Sequence, residues 1–461
     1  MNILLVVIDS LRASALAGAT RDGPSTPFFD RLGGETVHFR RAYATECWTL
    51  PAHLSMFTGL LPSQHGAHFR TMAYESPAPT IAELLSAAGY HTEVVTRNSL
   101  FDGTVPGATR GFQINTRLVG DLGGRLHSAA FGVFLALGKP RVRRLFRTSG
   151  FLSPLQKESR SLVTRMAQLA IPADRLVLAH ALERMSRLRG SGRPYFLFLN
   201  LYDVHAPYPP QATSFLAPFR TLDGWRENVS LPWVLPRVSG HGYLRSDFRM
   251  AAGSRRMLLR RYHAAIEHMD GKLAAFHDRA WTSGLLDDTL MVVTSDHGEA
   301  FGDHGLYFHD ASVYETHLHV PLWIHAPAVA PQVVDDIVST RDLFTLFRSV
   351  ALDGTLRGTL LDPGARAQRG VALAEHFHYP HVHQMLPRYR QDIAAALVGQ
   401  RKVIVRREGL EHYDLARDPD ESSPAGGPIE SFVAACRKDG TAPAAIDAAR
   451  AHLERWAAAG S

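Results

Sequence analysis

The segment Thr294-Ser295-Asp296-His297-Gly298-Glu299-Ala300 directly follows the apolar run Leu290-Met291-Val292-Val293, so a carboxylate and an imidazole stand together at the end of a strand. Three other strand-like runs finish in groups suited to the same chemistry. Residues 3–8 end at Asp9; residues 196–202 end at Asp203, with Val204 and His205 behind it; residues 92–96 end at Arg97-Asn98. Open α/β sheets bind ligands in the crevice beyond the carboxyl ends of their strands. If these strands run parallel, the acids and imidazoles converge on one edge. Crowding so many like charges there costs many kcal/mol unless a cation or solvent compensates them. A bound divalent metal is the economical explanation. Taken alone, Asp9 or Asp296 would read as a helix N-cap; their convergence favours the metal.

The elements that must position these groups are legible as an alternation. Strand patterns at 3–8, 92–96, 196–202, 289–295 and 320–324 are interleaved with helical patterns at 27–33, 80–88, 173–188 and 254–281. In the last of these, Leu259, Tyr262, Ile266, Met269, Leu273 and Phe276 recur every three or four residues and make one apolar stripe. The βαβ alternation predicts an α/β fold with a large, mostly parallel sheet flanked by helices. Beyond about residue 350, short runs at 370–374, 394–398 and 402–406 lie between turn-rich pieces, and a helix at 444–459 closes the chain. This texture predicts a smaller C-terminal antiparallel sheet. The expected division is an α/β domain over 1–350, with a basic helical insertion at about 120–190, and a subdomain over 351–461 packed on it.

The chain has 461 residues, 45% hydrophobic and 20% charged, as in an ordinary globular protein. Its two cysteines, Cys47 and Cys436, lie far apart and give no sequence pattern of a disulfide framework or of a Cys-based zinc site, so Cys47 is expected to be a small hydrophobe. Twenty-four histidines point instead to an imidazole and carboxylate metal site. The first apolar run is only six residues long, too short for a signal-peptide core or a membrane span, so a cytoplasmic location is expected. The net charge of +6 is concentrated: residues 120–190 carry 13 Lys/Arg against 4 Asp/Glu. A basic segment behind the apolar stretch 129–137 is able to dock weakly on an anionic membrane surface. The plainer reading packs its apolar face on the body and leaves the arginines in solvent. No nucleic-acid partner is expected, and assembly into a homo-oligomer is left open.

The segment Cys47-Trp48-Thr49-Leu50-Pro51-Ala52-His53, continuing to Thr58-Gly59, resembles the nucleophile segment of sulfatases and their relatives in the alkaline phosphatase superfamily. Further matches are Asp9 with Arg12, Pro62-Ser63-Gln64-His65-Gly66, Asp203-Val204-His205-Ala206-Pro207-Tyr208, Ser295 to Glu299, and a closing motif from Tyr413 to Glu421. They follow the family order from residue 1 to 421. Two departures decide the chemistry. Sulfatases place Cys or Ser two residues before the proline, for oxidation to formylglycine, and Arg two residues after it. Here Thr49 and His53 stand at these places, so no formylglycine is expected. A Thr nucleophile is what resemblance to phosphodiesterases, phosphonate monoester hydrolases and phosphoethanolamine transferases implies.

The resemblance implies one metal site formed by Asp9, Thr49, Asp296 and His297, whose mixed oxygen and imidazole donors favour manganese or zinc over calcium. It implies catalytic roles for Thr49 as nucleophile and for His205 and His309 near the leaving oxygen. If Asp203, His205 and His309 held a second cation, the site would be a two-metal clamp. Arg12, His53, Arg97, Asn98 and Asp203 are expected at the substrate. The expected function is metal-dependent hydrolysis of a small anionic phospho-ester, a phosphodiester or phosphonate monoester, through a phospho-threonine. The rivals are sulfate-ester hydrolysis, transfer of a phospho group to an acceptor alcohol, and a non-catalytic binding protein on the same fold.

Overall fold

The computed structural model describes residues 1–16, 23–118, 174–206, 208, 250–309, 311–327, 329–378 and 389–460. Most of the basic insertion and the loop at 211–245 lie outside these residues.

Nine strands make the main sheet: β1 (Asn2–Ile8), β2 (Val37–Tyr43), β3 (His91–Thr96), β4 (Ile114–Arg117), β5 (Tyr195–Leu201), β6 (Thr289–Thr294), β9 (His319–His325), β10 (Gln332–Val334) and β11 (Val338–Ser339). Between β6 and β9 lies a small hairpin of β7 (Ala300–Phe301) and β8 (Tyr307–Phe308). The order across the main sheet is β10-β2-β9-β6-β1-β5-β3-β4, with β11 also paired to β2. All neighbours are parallel except β2 with β9 and β6 with β9.

β1 lies at the centre because both of its faces are apolar. Ile3, Leu5 and Val7 pack on one side, with the helix Thr49–Thr58. Leu4, Val6 and Ile8 pack on the other, against the helices Asp174–Ser191 and Ala252–Thr282. Such two-sided burial is what a continuous apolar run in a parallel sheet provides. The long helix presents Met257, Tyr262, Ile266, Met269, Leu273 and Phe276 to this core, while Leu259 is only partly buried at its margin.

Register carries the consequence for function. Val7 pairs with Asn200 on one side and Thr294 on the other, and Thr96 pairs with Asn200. Two residues further along these four strands stand Asp9, Tyr202, Asp296 and Asn98, so the polar termini come level at one edge.

The C-terminal portion forms an antiparallel sheet of β12 (Val371–His376), β13 (Ile393–Val398), β14 (Arg401–Arg406) and β15 (Gly409–Asp414). Ile393, Ala395 and Leu397 face the main core, whereas Ala396 and Val398 face Phe432, Ile446, Ala449 and Leu453 of the two closing helices. No helix among the described residues is long and apolar enough to cross a membrane.

Among the elements that differ from the sequence expectation, two strands of the main sheet show why. β2 has no counterpart in the apolar pattern, because Arg40 and Arg41 interrupt it and the strand carries a bulge between Phe39 and Ala42. β9 runs antiparallel to its neighbours, a direction that apolar patterning does not encode.

Candidate active site

Asp9 follows β1 and its amide donates to the Leu201 carbonyl at 2.9 Å. Ser10 then takes φ +64°, an uncommon region for a residue with a side chain. In that conformation its amide donates to Asp296 Oδ1 and its hydroxyl to Asp9 Oδ1, both at 3.1 Å. One serine thus ties the two carboxylates together. Both are fully buried. Burial, followed by the charge of Asp296, pushes the Asp9 carboxyl well above its ordinary range. Burial also raises Asp296, but His297, His53 and the Ser10 amide outweigh it and hold this group low. A pair in this arrangement carries two negative charges only when a cation lies between them.

His297 donates through Nδ1 to the Gly298 carbonyl at 2.9 Å, which leaves Nε2 as an acceptor. Burial pulls its pKa down, so the ring is neutral. Nε2 lies 3.4 Å from Asp296 Oδ2 and 3.9 Å from Asp9 Oδ1. The Thr49 hydroxyl reaches the same nitrogen at 3.3 Å. Thr49 begins a ten-residue helix whose N-cap, Trp48, makes no side-chain cap hydrogen bond. One turn later His53 Nδ1 donates back to the Thr49 carbonyl at 2.8 Å and lies 3.6 Å from Asp296 Oδ2. Asn98 donates to Asp9 Oδ2 at 3.3 Å.

These residues fit a divalent ion. Ligand atoms of Asp9, Asp296 and His297 lie within 4.8 Å of one another. Asp296 Oδ2 and His53 Nε2 are buried without a hydrogen-bond partner, the condition an ion or its bound oxygens would relieve. Gly298 permits the sharp turn between Asp296-His297 and the following hairpin. A Cβ there would meet the Thr316 carbonyl oxygen at 2.1 Å and the Arg12 side chain at 2.9 Å.

His309 lies beside this group, its ring centroid 4.4 Å from that of His297 and 5.0 Å from that of His205. Its Nδ1 donates to Glu299 Oε1 at 2.9 Å, and Tyr208 donates to the other Glu299 oxygen at 2.8 Å. Glu299 stands in the Asp-His-Gly-Glu motif, and its part beside His309 is not among the sequence expectations. A carboxylate three residues after Asp296 was the available signal. His205 stacks on Tyr202 and donates from Nδ1 to the Ala206 carbonyl at 2.6 Å; burial, then His309, lowers its pKa to about 3.

Three residues expected at the substrate have other partners. Arg97 donates to Asp203 Oδ1 at 2.8 Å and Lys272 to Asp203 Oδ2 at 2.7 Å, so Asp203 balances two cations. Asp174, which accepts from the Tyr202 and Asp203 amides, completes this buried group. Lys272 and Asp174 carry no sequence signal, since each reads as an ordinary helical charge. Arg12 pairs with Asp303 at 3.6 Å, donates to the Glu299 carbonyl and lies over the Phe301 ring, bracing the loop behind His297. Among the other histidines, His304 stacks on Tyr314, His317 joins Ser312 to the Phe308 carbonyl, and His319 stacks on Tyr43.

The sequence profile of the sulfatase family matches residues 1–351. The choline-sulfatase of Rhizobium meliloti (strain 1021) is 27% identical over 340 residues, 72% of this chain and 63% of its own length. A multifunctional alkaline phosphatase superfamily protein, PehA of Trinickia caryophylli, is 26% identical over 341 residues, 66% of this chain and 64% of its own. The chain therefore spans less than two thirds of these two relatives. Among solved structures, the phosphonate monoester hydrolase of Agrobacterium radiobacter shares the fold with a TM-score of 0.64 at 20% identity, covering 97% of this chain and 96% of its own.

Proposed function

The chain belongs to the sulfatase family, and we propose that within it this protein is a metal-dependent hydrolase of phospho-esters, acting on phosphodiesters or phosphonate monoesters ahead of sulfate esters through a covalent phospho-threonine. The observation that carries this reading is the Thr49 hydroxyl, 3.3 Å from His297 Nε2 in the acidic cluster. Formylglycine is an aldehyde made from a Cys or Ser side chain. The extra methyl of threonine would leave a ketone, so Thr49 acts as an unmodified hydroxyl. The solved phosphonate monoester hydrolase with the same fold supports the substrate class.

A divalent ion held by Asp9, Asp296, His297 and Thr49 would lower the hydroxyl pKa and neutralise the oxygens of the transferring group, with manganese or zinc suited to the imidazole donor. Thr49, its hydroxyl proton released to bulk water, attacks phosphorus through Oγ1 opposite the leaving oxygen, and takes a proton back from solvent when water cleaves the phospho-threonine. His309, oriented through Nδ1 by Glu299, delivers a proton to that oxygen from Nε2 and later takes one from the water that cleaves the phospho-threonine. His205, neutral at pH 7, serves as a hydrogen-bond acceptor beside it. His53 and Asn98 hold the nucleophile helix and Asp9 in register.

The test is a matrix of metals against aryl phosphomonoester, phosphodiester, phosphonate ester and sulfate ester. Phosphodiester or phosphonate ester should be cleaved fastest, and Thr49→Ala should remove turnover on all four while the melting temperature stays unchanged. A sulfate-first order overturns the substrate class. Full activity of Thr49→Ala on every ester overturns the nucleophile.

A further inference from the structure

A second set of metal-ligating atoms lies two residues before the nucleophile and owes nothing to the first. Glu46, Cys47 and His376 are all buried, and one ligand atom from each lies within 4.8 Å of the others. His376 closes β12, 330 residues from Glu46 along the chain, and its Nδ1 lies 2.8 Å from Glu46 Oε1. The Cys47 sulfur is 3.3 Å from the same oxygen and 3.6 Å from the same nitrogen.

We propose that Glu46, Cys47 and His376 bind a structural zinc-type ion that ties the C-terminal sheet to the loop leading into Thr49. Zinc binds thiolate sulfur at about 2.3 Å and imidazole nitrogen or carboxylate oxygen at about 2.0–2.1 Å. In a tetrahedral site those bond lengths put sulfur about 3.6 Å from nitrogen, sulfur about 3.5 Å from oxygen, and nitrogen about 3.3 Å from oxygen. The observed triangle already has the first edge, is within a few tenths of an ångström on the second, and needs only a small outward shift of Glu46 or His376 on the third. Thiolate with imidazole selects zinc or a similar soft cation, which separates this set from the sulfur-free cluster at Asp9. Three protein donors leave the fourth tetrahedral position to a bound water, and the surroundings tie the site to the fold. The Phe69 ring lies against His376 and stacks on Trp48, and the Glu375 amide donates to the Thr45 carbonyl at 2.9 Å, already docking β12 on this loop. An ion here would fix Trp48 and hence the first turn of the nucleophile helix. The alternative is a metal-free group in which His376, the Cys47 thiol and the Cys47 amide all donate to Glu46 Oε1.

The full-length protein, incubated with zinc and desalted, should retain more than one zinc per chain, and its zinc-edge X-ray absorption should contain a sulfur scatterer at about 2.3 Å. Scatterers of nitrogen and oxygen alone would overturn the proposal without any variant being made. With cobalt in place of zinc, a sulfur-to-metal charge-transfer band should appear. It should be lost in Cys47→Ser and kept in Cys436→Ser and in Thr49→Ala. Persistence of the band in Cys47→Ser, or its loss in Cys436→Ser alone, overturns the assignment. The zinc site is independent of the phospho-ester reading, since Thr49→Ala ends turnover and leaves the sulfur signal.

Discussion

At the residue scale, the division of labour among the histidines is set by what each ring nitrogen touches. His297 spends Nδ1 on the Gly298 carbonyl and offers Nε2 to the acidic cluster, whereas His309 spends Nδ1 on Glu299. On the proposed mechanism the first ring would serve as a ligand and the second as an oriented acid. Removal of His309 should therefore slow esters of poor leaving groups far more than nitrophenyl esters, whose anion departs unaided. We expect a loss in kcat of roughly 10²–10⁴-fold for an alkyl ester with His309→Ala and a much smaller one for the nitrophenyl ester. Equal losses on both would exclude a proton to the leaving oxygen. Glu299→Gln keeps an acceptor for Nδ1 but removes the charge that stabilises a protonated ring, so it should fall between wild type and His309→Ala in the same series.

At the element scale, the site depends on turns that follow strands, and those turns are intolerant. A methyl at Gly298 would have to enter the Thr316 carbonyl, a backbone atom that cannot swing aside. Gly298→Ala should displace His297, lowering metal affinity measured by calorimetry as well as activity, even if the protein still folds. Native metal affinity in that variant would show that the turn has slack. The turn after β5 is braced differently. Burial, then the Asp203 charge, pushes the Asp174 carboxyl from 3.8 up to about 7. A group raised on folding contributes its stability below the unfolded value and loses it as pH rises through the folded one. Asp174→Asn keeps an oxygen acceptor for the Tyr202 and Asp203 amides without the charge. Relative to wild type its melting temperature should gain as pH is raised from about 4 to about 7, and a constant difference across that window would contradict the assignment.

For the molecule as a whole, the C-terminal sheet is joined to the main body by a shared core and by a buried charge group. Lys402 on β14 is completely buried and pairs with Glu315 at 3.0 Å and Glu421 at 2.7 Å. Glu315 begins the turn that leads into β9, and Glu421 ends the closing motif. Lys402→Met would strand the Glu421 carboxylate away from water and leave the partly exposed Glu315 beside it, an effect of about 3–5 kcal/mol for breaking a buried pair from one side. Denaturant unfolding should register this loss, and a change below about 1 kcal/mol would mean that solvent reaches the two acids. The expected boundary near residue 350 thus marks a change of architecture within one continuous core, in which Ala372, Ala374 and Ile404 pack with Leu343 and Phe347.

Periodicity and local motif were enough for the central strands, the long helix and the polar groups that end each strand. Apolar runs and the residues beside them are local, and burial on both faces leaves no choice of side. The helix Thr49–Thr58 was hidden by the same physics, since every one of its residues is buried and no polar face remains to show a 3.6-residue period. β2 was hidden by its arginines. Pairing over long separations belongs to the tertiary structure alone: Arg97 and Lys272 on Asp203, Glu299 behind His309, and His376 against Glu46 and Cys47. Which charge meets which depends on strand order, crossover and register, and these are settled by the packing of the whole core.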